Sequence, residues 1–275
     1  MDPLPVTRIE PPKRWADLQL RELFAYRELA AFMAWRDIKV RYTQTVLGVA
    51  WALLQPVMAM VLFTIVFGRI AGLPSDGVPY PLFALAGLLP WQLFSTAISG
   101  SANSVVGSAG LLTKVYFPRL IVPLSAALAT LVDFAVSLIV LAALMAYYRV
   151  APTAAVLTIP LFLAVGLAAA LGLGLWFAAL NVKYRDVRYV LPFIMQLWLF
   201  ASPVAYSTSL IESPTARTLY ALNPMAGVIQ GFRWALIGGP PPGDMIWPSV
   251  IAASLLLVSG VVFFKRTEET FADVI

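Results

Sequence analysis

The stretch RDIKVRYTQTVLGVAWALLQPVMAMVLFTIVFGRI, residues 36–70, sets four charges within six residues ahead of a long apolar run. A helix needs about 20 apolar residues to cross the roughly 30 Å hydrocarbon core of a bilayer. The run after Tyr42 is long enough for a crossing. Cations gather at the cytoplasmic flank of a span, where Arg36, Lys39 and Arg41 stand. The stretch therefore predicts a membrane span that begins at the cytoplasmic interface.

The rest of the chain repeats this pattern. Of its 275 residues, 60% are hydrophobic and only 12% are charged, whereas soluble domains are about 45–50% apolar and about 25% charged. We expect an all-α polytopic membrane protein with six transmembrane helices. The predicted spans are residues 45–70, 80–100, 120–148, 154–182, 190–206 and 247–264.

The distribution of cations predicts the orientation. Fifteen of the 19 Lys and Arg residues fall on one side of the predicted membrane, together with both termini. By the positive-inside rule this side is the cytoplasm. We expect a cytoplasmic N-terminus (1–44), a transmembrane domain (45–264) and a cytoplasmic tail (265–275), without a cleaved signal peptide. Anionic lipid headgroups, and not nucleic acid, account for the basic residues.

Two segments outside the spans are expected to form helices. Leu23, Ala30, Ala34 and Ile38 recur at helical spacing, which predicts an N-terminal amphipathic helix on the inner leaflet. A plain solvated helix is the alternative. Between spans 5 and 6, Ser213-Pro214 and Asn223-Pro224 are helix-start signals.

The second of these helices, residues 224–237, ends before Gly238. Its 14 residues are about 21 Å long and too short to span a bilayer. We expect it to re-enter the protein or to lie along the outer membrane face.

Catalytic patterns are missing from the sequence. It contains no cysteine and no histidine, and it has no phosphate-binding loop of the G-x-x-x-x-G-K-[ST] form. We predict no catalytic residues, no metal site and no cofactor on this chain. A membrane enzyme that acts on polyprenyl lipids is kept as an alternative.

Span 3 carries the one clear intramembrane acid, Asp133. Ser125, Ala129 and Ser137 share its helical stripe, which predicts a face packed against another helix. An ionised carboxylate at that depth is costly, so it cannot face lipid. Either a buried interhelical hydrogen bond or a contact with substrate explains it. In span 4, a ridge of small residues predicts close helix packing: Gly166, Ala170 and Gly174.

Two further sets of residues suggest a transport role. Aromatic rings that could stack on a sliding sugar chain, or simply pack in lipid, are Trp51, Phe193, Trp198 and Phe200. In the loop between spans 2 and 3, we expect residues 111–119 to form one or two helical turns. The loop carries side chains of the kinds that anchor protein interfaces, which favours docking of a cytoplasmic partner: Lys114, Tyr116, Phe117 and Arg119. A simple tight turn is the alternative.

Five blocks of the sequence resemble the permease subunits of type-2 ABC exporters, in the branch that exports O-antigen, capsule or teichoic-acid polysaccharides. The blocks are RDIKVRYTQTVLGVAWALLQP (36–56), YPLFALAGLLPWQLFS (80–95), LLTKVYFPRLIVP (111–123), LNVKYRDVRYVLPFIMQLWLFASPVAYS (180–207) and LNPMAGVIQGFRW (222–234).

The resemblance implies a homodimer in the bacterial inner membrane, paired with two copies of a separate ATPase that carries ATP and Mg. It implies a lipid-linked polysaccharide as cargo and the 2–3 loop as the ATPase contact. It also implies that a headgroup entrance is formed by Arg36, Lys39, Arg41, Tyr42, Arg185 and Arg188. Exporters of drugs or other small amphiphiles share the architecture, so they remain the main alternative.

Overall fold

The computed structural model describes residues 20–43, 49–211, 213–268 and 271, and within these ranges the chain is helical with no strand. The all-α prediction is confirmed. The α-helices of the described part are α1 Leu20–Ala25, α2 Arg27–Thr43, α3 Val49–Phe63, α4 Tyr80–Gly107, α5 Ala109–Leu112, α6 Ile121–Tyr148, α7 Ile159–Lys183, α8 Val187–Ala201, α9 Pro214–Tyr220, α10 Pro224–Ile237 and α11 Ile246–Thr267.

In the part of the chain that the structure describes, five helical segments are long and apolar enough to cross a membrane, which confirms a multi-pass protein. They are Ala50–Ile70, Tyr80–Gly107, Ile121–Tyr148, Ala154–Lys183 and Gly243–Thr267. These segments correspond to the first four predicted spans and the sixth, although residues 44–48 at the start of the first lie outside the described part. The fifth predicted span, 190–206, overlaps the 15-residue helix α8, which begins earlier, at Val187, and ends at Ala201. At 1.5 Å per residue α8 is about 22 Å long, which is less than a full crossing.

Helix α4 lies at the centre of the molecule. It packs against α3, α6, α7, α8 and α10, and most of its residues from Leu82 to Val105 are buried. A helix that is apolar on all sides is typical of such a position. Its first turn contains Pro81, where a missing N–H costs no helical hydrogen bond. The helix continues through Pro90 to Gly107, beyond the predicted end at residue 100.

Small residues bring α7 close to its neighbours. The predicted ridge of Gly166, Ala170 and Gly174 is buried, as expected for close packing. The tightest approach was not predicted and joins Gly172 of α7 to Gly260 of α11. A β-carbon added to Gly260 would overlap the Gly172 backbone. Only glycine at both positions allows these two backbones to touch.

The predicted helix starts in the outer segment are confirmed. The Ser213 and Asn223 side chains accept backbone N–H bonds at the starts of α9 and α10, and Gly238, at a φ of 71°, ends α10. Helix α10 packs among α4, α7 and α11, and all its residues are buried except Trp234, which is half-buried. Helix α10 is therefore buried within the protein, as expected for a segment that re-enters it.

Arg233 of α10 is 1% exposed and holds the chain beyond α8 in place. Its guanidinium donates to the carbonyls of Phe83 (3.3 Å), Pro203 (2.6 Å), Val204 (2.7 Å) and Tyr206 (3.2 Å). It also lies 3.5 Å from the centre of the Phe83 ring. Non-helical backbone at membrane depth needs such internal donors. The buried cation supplies them where the chain leaves the helix.

Helix α2 packs along the first half of α6. Ala30 and Met33 join Phe117 and Ile121 in one buried cluster, and the end of α2 bonds to Asp133, twelve residues further along α6. That separation corresponds to about 18 Å of helix. A helix is thus present where we predicted one, and its face with Ala30 and Ala34 covers α6.

Candidate functional site

A cavity of about 280 Å³ lies between α2, α3, α4 and α6. It mixes charged, amide, hydroxyl and aromatic side chains at the depth of the spanning helices. The side chains that line it are Arg41, Tyr42, Trp51, Ala52, Gln55, Pro56, Leu89, Gln92, Leu93, Thr96, Thr130, Asp133, Phe134 and Ser137. Residues predicted separately as entrance, channel and intramembrane acid therefore meet in one place.

Asp133 is the polar centre of this cavity. Arg41 forms an ion pair with one oxygen of the carboxylate, and the Tyr42 hydroxyl donates to the other. The Ser137 hydroxyl donates to the Asp133 backbone carbonyl at 2.8 Å. The expected packing face is present, since Ser137 and Ala129 are buried. An interhelical hydrogen bond thus explains why an acid is tolerated in span 3.

Tyr42 is held in its donor form. Burial, and then its hydrogen bond to the Asp133 carboxylate, raise the pKa of the Tyr42 hydroxyl to about 12. The phenol therefore keeps its proton at neutral pH and continues to donate to Asp133. The contact joins α2 to the spanning helix α6 through two donors on adjacent residues.

Two glutamines of the cavity were missed by sequence reasoning. Gln55 lies four residues after Trp51 on α3, and Thr96 lies four residues after Gln92 on α4. Residues four apart share one face of a helix, so each pair points to the same side. The available signal was an amide side chain within an otherwise apolar span. Both glutamines line the cavity.

The predicted entrance residues divide into two sets. Arg41 and Tyr42 point at Asp133, while Arg36 pairs with its neighbour Asp37 at 2.8 Å. Lys39 on α2 is exposed, as are the side chains of the segment that begins α8. Within the described ranges, the side chains of three of these predicted entrance cations have no ion-pair or hydrogen-bond partner: Lys39, Arg185 and Arg188.

The predicted channel aromatics also divide. Trp51 on α3 is 56% exposed, and Phe193 and Phe200 are exposed on one side of α8. Trp198 points inward, where its indole N–H donates to Oδ1 of Asn223 at 3.1 Å. Asn223 caps α10, so Trp198 ties α8 to the re-entrant helix. Its placement is that of a structural residue.

The loop between α4 and α6 presents fewer docking residues than predicted. Its helix, α5, covers Ala109–Leu112 and not residues 111–119. Lys114 is exposed and Tyr116 is 55% exposed. Phe117 is only 4% exposed, so it cannot contact a partner directly in this structure.

The side chain of Arg119, in the same loop, is already engaged in contacts within the protein. It donates to the backbone carbonyl of Glu268, and its guanidinium lies 5.9 Å from the Phe271 ring centre. Arg119 therefore joins the loop to the end of the chain, and the exposed docking surface is reduced to Lys114 and Tyr116.

Comparison with known proteins agrees with these features. The sequence profile of the family described as ABC-2 type transporter matches residues 28–237. The chain belongs to this family. The matched range runs from α2 to the end of α10 and includes every residue that lines the cavity. The resemblance based on the five sequence blocks is thus confirmed.

Several ABC-2 relatives are similar over most of their length. The O-antigen export system permease protein RfbA of Myxococcus xanthus is 33% identical over 258 residues, which cover 92% of this chain and 98% of that protein. A protein of the same name from Klebsiella pneumoniae is 25% identical over 87% of this chain and 92% of its own length. The polysialic acid transport protein KpsM of Escherichia coli is 25% identical over 74% of this chain and 79% of its own length.

Proposed function

We propose that this ABC-2 chain is the membrane subunit of an exporter that moves a polyprenyl-linked polysaccharide across the bacterial inner membrane. The main support is the similarity to the M. xanthus O-antigen export permease, which extends over 98% of that protein. The K. pneumoniae and E. coli relatives, which also bear the names of polysaccharide transport proteins, support the same cargo class.

In this proposal the chain forms a conduit and a separate ATPase supplies energy. The sequence lacks a phosphate-binding loop, which supports a division of labour between two subunits. Two copies of the chain would pair with two copies of the ATPase. Lys114 and Tyr116 would form the ATPase contact, supported by their exposure beside the short helix α5. ATP and Mg would be bound by the partner.

The exposed face of α8 would form part of the transport path. Tyr189, Phe193, Leu197 and Phe200 follow one another at intervals of four, four and three residues, and each is more than half exposed. Such spacing places them on one side of the helix. Sugar rings can stack through their C–H faces on aromatic side chains without strong hydrogen bonds, which allows a polymer to slide past them.

The anionic linkage between lipid and sugar would meet the free cations. Lys39, Arg185 and Arg188 are exposed and lack partners among the residues that the structure describes. Charge-assisted bonds from such side chains suit a pyrophosphate. Arg41 is already paired with Asp133, so we assign the headgroup to the other three. The excess of cations on the side that holds both termini supports a cytoplasmic location for this entrance.

Deletion of the gene tests the proposal. We expect the polymer to disappear from the cell surface and its lipid-linked form to accumulate in the cytoplasmic membrane fraction. Extraction of lipid-linked glycans, followed by mass spectrometry, measures both pools. Unchanged pools, combined with hypersensitivity to amphiphilic drugs, would contradict the proposal and favour export of a small amphiphile. Complementation with the wild-type gene is the control.

A further inference from the structure

We infer that the cavity between α2, α3, α4 and α6 binds a neutral sugar ring of the exported chain, with Gln55 and Gln92 as the hydrogen-bonding residues and Trp51 as the stacking surface. This inference rests on the proposed function for the nature of the cargo. It adds a saccharide site within a single protomer, in which two glutamines to which no role was assigned from the sequence join Trp51, a ring predicted from the sequence to be able to stack on a sugar.

The two amides are the main observation. Gln55 and Gln92 line the cavity, and neither carboxamide has a hydrogen-bond partner in the part of the chain that the structure describes. Each amide offers two N–H donors and one carbonyl acceptor. Both glutamines lie on helices long and apolar enough to span a membrane, where polar groups without partners are costly. A ligand that both donates and accepts would satisfy both side chains.

The hydroxyl groups of the cavity favour the same ligand. Thr96, Thr130 and Ser137 each donate to a carbonyl of their own helix, at 2.6, 2.6 and 2.8 Å. Their oxygen lone pairs therefore remain free to accept hydrogen bonds, while their protons are used. A sugar hydroxyl can donate to these oxygens and accept from the glutamine N–H groups at the same time.

The charge of the site argues against a phosphate ligand. The two formal charges in the cavity wall, on Arg41 and Asp133, oppose each other in an ion pair. A diphosphate would have to displace the Asp133 carboxylate from Arg41 and would then lie beside that negative charge. A neutral ring can bind while the ion pair stays intact.

The shape of the site suits a ring with one apolar face. Trp51 is 56% exposed and forms part of the cavity wall, next to Ala52 and Pro56. The volume of about 280 Å³ is near the lower end of the roughly 300–1,000 Å³ that is typical of small-molecule sites. The cavity can hold a short saccharide and not a whole polymer, so it would bind one segment of the chain at a time.

Saturation-transfer difference NMR of the full-length chain in lipid nanodiscs tests the site. The probe is the oligosaccharide freed by mild acid from the surface polymer of the host. Preparation avoids glucoside and maltoside detergents, because their sugar headgroups would compete. We expect ring-proton signals with the wild-type chain and at least a fivefold loss in the Gln55→Leu/Gln92→Leu variant. Leucine is close to glutamine in size and suits an apolar helix, so the fold should persist.

Two further variants make the result specific. Ala52→Phe fills the cavity without altering either amide and should give a similar loss. Ser254→Leu also replaces a polar side chain with leucine, but on α11, outside both the cavity and the proposed α8 path, and should leave the signals unchanged. An equal signal in the double variant, or an equal loss in Ser254→Leu, would overturn the assignment.

The remaining outcomes separate the ligand classes. The absence of any saccharide signal with the wild-type chain would refute the site. Displacement of the saccharide by inorganic pyrophosphate would also refute it, because the cavity would then bind the lipid headgroup. Either result leaves the proposed function standing, because gene deletion tests that function independently. Conversely, intact surface polymer after deletion would reject the exporter even if the cavity bound sugar.

Discussion

Two arginines illustrate how differently two regions of this protein use polar groups. Arg233 is fully buried and donates to four backbone carbonyls. Arg41 is about half exposed, pairs with Asp133 and borders a cavity with two unpartnered amides. Arg233 completes a closed network, in which its guanidinium satisfies backbone carbonyls at the point where the chain leaves the helix. Arg41 belongs to an open network, in which neighbouring amides keep free hydrogen-bonding groups for a moving cargo.

Replacement of Arg233 should have the largest effect. Arg233→Met leaves four buried carbonyls without their donor, which should cost about 3–5 kcal/mol in the free energy of unfolding. Thermal unfolding of the purified variant measures this loss. Arg217→Ala, at an exposed position on α9, is the control and should change stability by less than about 0.5 kcal/mol. Similar stability of both variants would show that the closed network contributes nothing.

The substitution Gly87→Ala, which places a methyl group against the Arg233 guanidinium, should have the next largest effect on stability. A β-carbon at Gly87 would lie 2.6 Å from Nη2 of Arg233 and 3.2 Å from the Val204 carbonyl oxygen. Because Arg233 is held on several sides, we expect Gly87→Ala to cost about 1–3 kcal/mol. Gly107→Ala, with no neighbouring atom within 4 Å, is the matched control. A neutral Gly87→Ala would mean that Arg233 can move freely.

The ion pair between Arg41 and Asp133, in the open network, should contribute less to stability than Arg233 does. Arg41 and Asp133 are both partly exposed, so we expect an interaction energy of about 1 kcal/mol in a double-mutant cycle of Arg41→Met and Asp133→Leu. Chemical denaturation of the four proteins gives this value. A coupling as large as the loss from Arg233→Met would remove the distinction between the two networks.

Replacement of Tyr116, the exposed aromatic residue of the docking loop, should show the smallest effect on stability and a large effect on association. Tyr116→Ala should change the unfolding free energy by less than about 0.5 kcal/mol, because the side chain is 55% exposed, yet reduce co-purification of the ATPase. Phe117→Ala removes a buried ring and should cost about 3–5 kcal/mol. If Tyr116→Ala retained the ATPase and stimulated its hydrolysis normally, the docking surface would lie elsewhere.

Local features could be predicted from the sequence because they depend on neighbouring residues. Hydropathy predicted the long helices, and Asn223-Pro224 and Gly238 predicted both ends of α10. Contacts between distant residues could not be predicted in this way. The bond between Arg41 and Asp133 joins residues 92 positions apart, and hydropathy does not specify partners.

The candidate site was predicted in parts for the same reason. Trp51 and Asp133 were identified by residue type, but their convergence depends on how α2, α3 and α6 pack. Trp198 appeared suited to the transport path until its bond to Asn223 showed its direction. Gln55 and Gln92 were overlooked because a single amide barely alters the hydropathy of a span.

Reconstitution into proteoliposomes tests the central claim most directly, namely that this chain is a conduit whose energy comes from another subunit. The measurement is transfer of labelled lipid-linked polysaccharide together with ATP hydrolysis, for the chain alone and with the ATPase that co-purifies with it. We predict that transfer and hydrolysis both require the ATPase. Hydrolysis by the purified chain alone, or transfer driven by an ion gradient without the ATPase, would contradict the account.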